Sequence, residues 1–118
     1  MDVNEILKKN RKGIFRSSRE DYELDIEEID KILKNNIDAI LLDVRSMQEY
    51  SDGHLYDAIN IPEYEISRKI KEIIPDKTSE IIIYCQVGIR SEKAYRILKK
   101  MGYKNLYVLK DGLDSIIN

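Results

Sequence analysis

Two short apolar runs, Ala39 to Val44 and Ile81 to Tyr84, constrain this chain more than any other feature of it. Each is nearly continuous and bounded by polar residues, the pattern of a strand buried on both faces within a parallel sheet. Parallel strands need crossover connections, and the flanking segments supply them. Ile26, Ile29, Ile32 and Leu33 recur at helical spacing before the first run, Ile66, Ile70, Ile73 and Ile74 between the two, and Ala94, Tyr95, Ile97, Leu98 and Met101 after the second.

The punctuation agrees with this alternation. Asp25 with Glu28, and Ser46 with Glu49, are capping-box pairs that open helices, the first broken by Asn35 and Asn36 and the second stopping near Gly53. Ala58 to Ile61 reads as a further strand closed by Pro62, and Pro75 ends the helix before it. Gly102 occupies the position after a helix where glycine is favoured, ahead of a last strand, Asn105 to Leu109, and the turn Asp111-Gly112. Strands alternating with helices predict an α/β fold with a mostly parallel sheet and right-handed crossovers.

At 118 residues the chain has room for one core. Residues 1–21 read as a polar N-terminal extension with Val3, Ile6, Leu7, Ile14 and Phe15 as apolar anchors, the first three on one face of a short helix; residues 22–118 form the domain. Lys and Arg total 20 against 22 Asp and Glu, so no field of one sign points to nucleic acid. A single cysteine excludes an internal disulfide framework and a multi-cysteine metal site, and suits a reducing compartment. The first residues lack the apolar core of a secretory signal and no stretch is long enough to span a membrane, so a cytoplasmic protein that engages neither membrane nor nucleic acid is expected.

Chemistry converges on that cysteine. Cys85 follows the strand Ile81 to Tyr84 directly, and in open parallel sheets ligands bind beyond the carboxyl ends of strands. Cys85, Gln86, Val87, Gly88, Ile89, Arg90 and Ser91 must turn from that strand into a helix beginning near Ser91, and such a turn aims successive backbone N–H groups into one concavity. Those donors and the positive end of the helix dipole favour a thiolate on Cys85. Arg90, able to donate two parallel hydrogen bonds, suits an oxyanion such as sulfonate, phosphate or thiosulfate. A buried core cysteine beside a solvated arginine is the plainer alternative.

From about Tyr22 to Leu113 the sequence resembles the rhodanese-like family. The resemblance rests on Leu42-Asp43-Val44-Arg45 with Glu49-Tyr50, on Gly53-His54-Leu55 with Ala58-Ile59-Asn60-Ile61-Pro62, on Tyr84-Cys85 through Arg90-Ser91, and on Gly102-Tyr103 with Val108-Leu109 and Gly112. It implies a five-stranded, mostly parallel sheet with helices on both faces. It also implies a sulfurtransferase in which Cys85 takes sulfane sulfur from a donor such as thiosulfate or a persulfide and passes it to a thiol or cyanide acceptor. On the same grounds the amides of Gln86 to Ser91 would stabilise the anionic persulfide, Arg90 would hold donor charge, and Asp43 and Arg45 would support the loops. No metal or organic cofactor is implied, and the partners are a small-molecule sulfur donor and thiol acceptor or a sulfur-relay protein. Asp57 stands where the family places a glycine, and aspartate tolerates a left-handed turn.

Two other functions compete. A cysteine phosphatase or arsenate reductase of the same fold would use the thiolate and Arg90 on phosphate, although only Gln86, Val87, Gly88 and Ile89 separate cysteine from arginine, where those enzymes resemble a five-residue spacing. A non-catalytic binding module would leave Cys85 an ordinary thiol. His54, the lone histidine, is expected to be structural rather than a base for Cys85. The segment 1–21 is expected to dock a partner that supplies or receives sulfur.

Overall fold

A computed structural model describes residues 19–116 of the chain. The apolar anchors Val3, Ile6, Leu7, Ile14 and Phe15, and the short helix expected of the first three, lie outside the described residues. In order, the elements are β1 (Glu23–Leu24), α1 (Ile26–Asn35), β2 (Ile40–Asp43), α2 (Met47–Asp52), β3 (Ile59–Asn60), a 3₁₀ turn (Glu63–Glu65), α3 (Ile66–Ile73), β4 (Glu80–Tyr84), α4 (Ile89–Lys100), β5 (Asn105–Leu109) and a 3₁₀ turn (Leu113–Ser115). Five strands form one sheet in the order β1-β5-β4-β2-β3, and every pairing is parallel.

Strand β4 lies at the centre, and its alternation divides the core. Ile81, Ile83 and Cys85 join Leu42, Ile66, Ile70, Ala94 and Leu98 on the face covered by α3 and α4. Ile82 and Tyr84 join Leu24, Ile29, Leu41 and Leu109 on the face covered by α1. A strand apolar at every position is thus explained by helices on both faces. Of the apolar positions expected to face inward from α3, Ile66, Ile70 and Ile74 are buried, but Ile73 is 46% exposed and lies outside the buried stripe.

Both capping boxes form, Asp25 with Glu28 and Ser46 with Glu49. Asp57 adopts the left-handed backbone expected of it, at φ 66°. Ahead of β1, Arg19 pairs with Glu28 of α1 at 2.6 Å, and the Tyr22 ring stacks on Tyr95 of α4 at 3.7 Å. Among the described residues no helix is long and apolar enough to cross a membrane, and no three His, Cys, Asp or Glu side chains cluster as metal ligands would.

Tyr103, just beyond α4, is 2% exposed and donates its hydroxyl to the carbonyl of Ile74, 2.6 Å away, tying the end of α3 to the approach to β5. Tyr103→Phe strips that buried carbonyl of its donor and is expected to cost about 1–2 kcal/mol, read as a lower urea midpoint with unchanged slope. An unshifted midpoint would mean that the carbonyl had found another partner.

Candidate active site

Cys85 is the first residue past β4, and the chain must clear the sheet there before α4 can begin. Gly88 makes this possible within three residues by adopting φ 104°, a backbone that a Cβ would strain. The helix therefore starts at Ile89, two residues earlier than the expectation near Ser91, and Ser91 falls in its first turn. The tighter loop turns amides onto the sulfur. Gly88 N donates to Cys85 Sγ at 3.1 Å and Ser91 N at 3.3 Å. The thiol in turn donates to Ser91 Oγ at 3.4 Å, and that hydroxyl donates to the Gly88 carbonyl at 3.1 Å. The amides of Val87, Ile89 and Arg90 have no acceptor among the described residues.

Cys85 is fully buried, as an inert core cysteine would be. An apolar core position, however, presents no N–H donors to a sulfur, and this one presents two. Such donors stabilise negative charge on sulfur whether it is a thiolate or carries a further sulfur atom. Its neighbours in the loop, Val87 and Ile89, are 50% and 76% exposed, so the loop that holds the buried sulfur lies at the surface.

The remaining predicted residues fall into two groups. Asp43 and Arg45 form a buried pair below the loop: Arg45 Nη2 donates to Asp43 Oδ2 at 2.7 Å, with Nε at 3.1 Å from each carboxylate oxygen. Arg45 also donates to the Gly53 carbonyl at 2.6 Å and to Gln86 Oε1 at 3.3 Å, so the pair supports the loop. The Gln86 side chain completes a bridge by donating to Asp114 Oδ1 at 2.6 Å, which leaves its amide rather than its side chain for a ligand. Arg90, expected to clamp an oxyanion, is paired with Glu49, with Nη1 at 2.6 Å from Oε1 and Nη2 at 3.0 Å from Oε2. His54 stacks on Tyr50 at 3.7 Å, and its Nδ1 lies 2.8 Å from the Tyr50 carbonyl oxygen.

Glu49 is the residue that sequence reasoning missed. It registered as a helix cap and within the family segment Glu49-Tyr50, with no partner assigned, yet it is bonded across 41 residues to the arginine of the cysteine loop. The Arg90 guanidinium, helped by the Ser46 backbone and hydroxyl and opposed by desolvation, brings the Glu49 carboxyl down from its ordinary 4.5 to about 2. A depressed carboxylate stabilises the fold above its unfolded value and loses that contribution as pH falls toward 2, so the pair is intact across the neutral range. Both side chains are 36% exposed, and solvent screening keeps the effect on stability small. Asn60, named only within the family segment, also has a supporting role: its Nδ2 donates to the carbonyls of Asp43 and Arg45, both at 2.9 Å.

A model of the rhodanese-like domain matches residues 25–118. Among curated relatives, the chain is 35% identical over 94 residues to a tRNA uridine(34) hydroxylase of Buchnera aphidicola, covering 76% of this chain and 30% of that protein. It is 32% identical over 91 residues to a sulfurtransferase of Allochromatium vinosum, covering 77% of this chain and 83% of that one. It is 38% identical over 65 residues to the thiosulfate sulfurtransferase PspE of Escherichia coli, covering 55% of this chain and 62% of that one. The chain thus spans about a third of the hydroxylase and nearly two thirds of PspE. Among solved structures, a rhodanese with anions from E. coli superposes with a TM-score of 0.59 at 36% identity, over 64% of this chain and 88% of that one. The human single-domain sulfurtransferase TSTD1 superposes with a TM-score of 0.73 at 22% identity, over 82% of this chain and 96% of that one, a likeness of fold.

Proposed function

The chain belongs to the rhodanese-like family, and from that membership we propose that it is a sulfurtransferase that moves sulfane sulfur through a persulfide on Cys85. The observation that carries this reading is the convergence of the Gly88 and Ser91 amides on Cys85 Sγ, at 3.1 and 3.3 Å, at the carboxyl end of the central strand. Sγ as thiolate attacks the outer sulfur of the donor, whose S–S bond breaks with both electrons leaving on the departing group. From thiosulfate that group is sulfite; from a persulfide it is a thiolate. The sulfane sulfur on Cys85 then meets the amides of Val87, Ile89 and Arg90, which lack acceptors among the described residues. A thiol or cyanide removes it and regenerates the thiolate, completing a ping-pong cycle.

The partners in this reading are a small-molecule donor and a thiol acceptor or sulfur-relay protein, and residues 1–21 form an extension that docks such a protein. The likeness to sulfurtransferases of A. vinosum and E. coli supports the reaction class. A hydroxylase among relatives of similar identity leaves the particular reaction to experiment.

Intact-mass measurement after incubation with thiosulfate or glutathione persulfide tests the reading. The protein is expected to gain one sulfur atom, at Cys85 because the chain has no other cysteine, and to lose it to cyanide as thiocyanate. An unchanged mass with both donors would sink the proposal, the more so if the protein hydrolysed an aryl phosphate.

A further inference from the structure

A donor approaching Cys85 meets the charge of the loop before it meets the sulfur. Arg90 is the only cation between Cys85 and Ser91, and Glu49 occupies one edge of its guanidinium in a two-point bond at 2.6 and 3.0 Å. The pair is net neutral. The surroundings supply no substitute. A groove of about 690 Å³ beside the loop is lined by Val87, Gly88 and Ile89 and by Lys93, Arg96 and Lys110, and all three cations are paired: with Glu63 at 3.2 Å, Glu92 at 3.6 Å and Glu23 at 3.6 Å. Its lining carries four carboxylates, Glu20, Glu23, Glu92 and Asp111, against those three cations. The loop's outer side chains, Val87 and Ile89, are apolar and largely exposed.

We propose that Glu49 sets the choice of sulfur donor: by holding Arg90 it disfavours the thiosulfate dianion and selects sulfane sulfur carried on an organic thiol. The inference rests on the sulfurtransferase reading above and names its donor class. Both donors undergo balanced transfer. The Cys85 thiolate plus RS–SH gives Cys85–S–SH plus RS⁻, and the thiolate plus thiosulfate gives the Cys85 persulfide anion plus sulfite, with no oxidant or reductant consumed. They differ in charge at approach. Thiosulfate must bring two negative charges to a loop with no unpaired cation, whereas a persulfide brings at most one on its sulfur and can carry an organic body suited to Val87 and Ile89. Glu49 acts through Arg90 and touches no reacting atom, so it is a positioning residue.

Glu49→Gln is the discriminating variant, because glutamine can still serve the capping box with Ser46 while releasing the full charge of Arg90. The readout is the ratio of kcat/KM for thiosulfate to kcat/KM for propyl persulfide, an organic donor with one negative charge at most and an apolar body. We expect it to rise about tenfold, through a lower thiosulfate KM, with the gain shrinking as salt is added. Ser46→Ala weakens the same helix start without altering the charge of the Glu49–Arg90 pair, and should leave the ratio where it is. A ratio unmoved or lowered by Glu49→Gln, or moved equally by Ser46→Ala, overturns the inference. Failure of the wild-type protein to take sulfur from either donor would instead overturn the underlying reading.

Discussion

Asp43→Ala is expected to remove about 3–5 kcal/mol of stability, the cost of leaving one member of a buried ion pair unmatched. The two side chains are 0% and 6% exposed, so water cannot replace what is lost. Asp43 accepts the backbone N–H of Arg45 at 2.9 Å as well as its guanidinium, and the Arg45 cation is held protonated chiefly by that carboxylate. Without Asp43 the guanidinium keeps two neutral acceptors, the Gly53 carbonyl and Gln86 Oε1, and the Tyr84 ring 5.9 Å from its carbon. Against the 5–15 kcal/mol typical of a domain, about 4 kcal/mol is a large fraction, and urea unfolding should show the midpoint collapse. The double variant Asp43→Ala/Arg45→Met removes both charges and is expected to recover much of the loss. If the single variant cost under about 1 kcal/mol, or the double variant were worse than the single, Arg45 would not be the stranded group.

Arg45 also reaches upward to Gln86, so the same substitution loosens the base of the cysteine loop. Stability and site are linked here by one side chain. The strand β2 that supplies Asp43 pairs with β4, which leads directly into Cys85, and the register puts Asp43 opposite Tyr84. Loop support is therefore a consequence of strand pairing: the residues at the carboxyl ends of adjacent strands necessarily meet under the same ligand crevice.

What could be read from the sequence was what is local. Both capping boxes depend on residues three apart, and both form at the positions named. The buried runs Ala39 to Val44 and Ile81 to Tyr84 contain or nearly coincide with β2 and β4, since burial on both faces leaves its mark on every residue. Strand β1 left no such mark. Glu23–Leu24 is two residues long and pairs with Val108 and Leu109, far away in sequence. Only the family resemblance, not the periodicity, called for a fifth strand.

The site divides in the same way. Cys85, the glycine turn and the donors Gly88 N and Ser91 N follow from a strand that must become a helix within a few residues. The partners of Arg90 and Gln86 do not. Glu49 lies 41 residues from Arg90 and Asp114 lies 28 from Gln86, and no spacing rule links them; the sheet order does, by bringing the segments after β2, β4 and β5 to one edge. Ile73 is the converse case, an apolar residue whose spacing looked suitable but whose direction on α3 lies outside the buried stripe.

Gly112→Ala should damage the site more than any other conservative change in its surroundings. Gly112 has φ 65° and ψ −161°, a backbone region essentially restricted to glycine. A Cβ there would lie 2.5 Å from the Cys85 carbonyl oxygen and from the carbonyl carbon and oxygen of Gln86. These are main-chain atoms and cannot rotate aside. The same two carbonyls accept the amides of Leu113 at 2.9 Å and Asp114 at 3.0 Å, so the turn after β5 clamps the cysteine loop from below. Backbone strain and the clash together are expected to cost about 2–5 kcal/mol. In protein that still folds, the displaced loop should slow sulfur loading of Cys85 by about 100-fold, because a shift of about 1 Å in a reacting group has that effect. Gly102→Ala separates the causes. Gly102 also has positive φ, at 94°, but its added Cβ would meet only the flexible Lys77 side chain at 3.6 Å. It should show the backbone penalty, about 1–2 kcal/mol, with sulfur loading intact. Equal loading rates in the two variants would mean that the contact beneath Cys85 and Gln86 does not position the loop, and that strand β4 and Gly88 suffice to hold the amides on the sulfur.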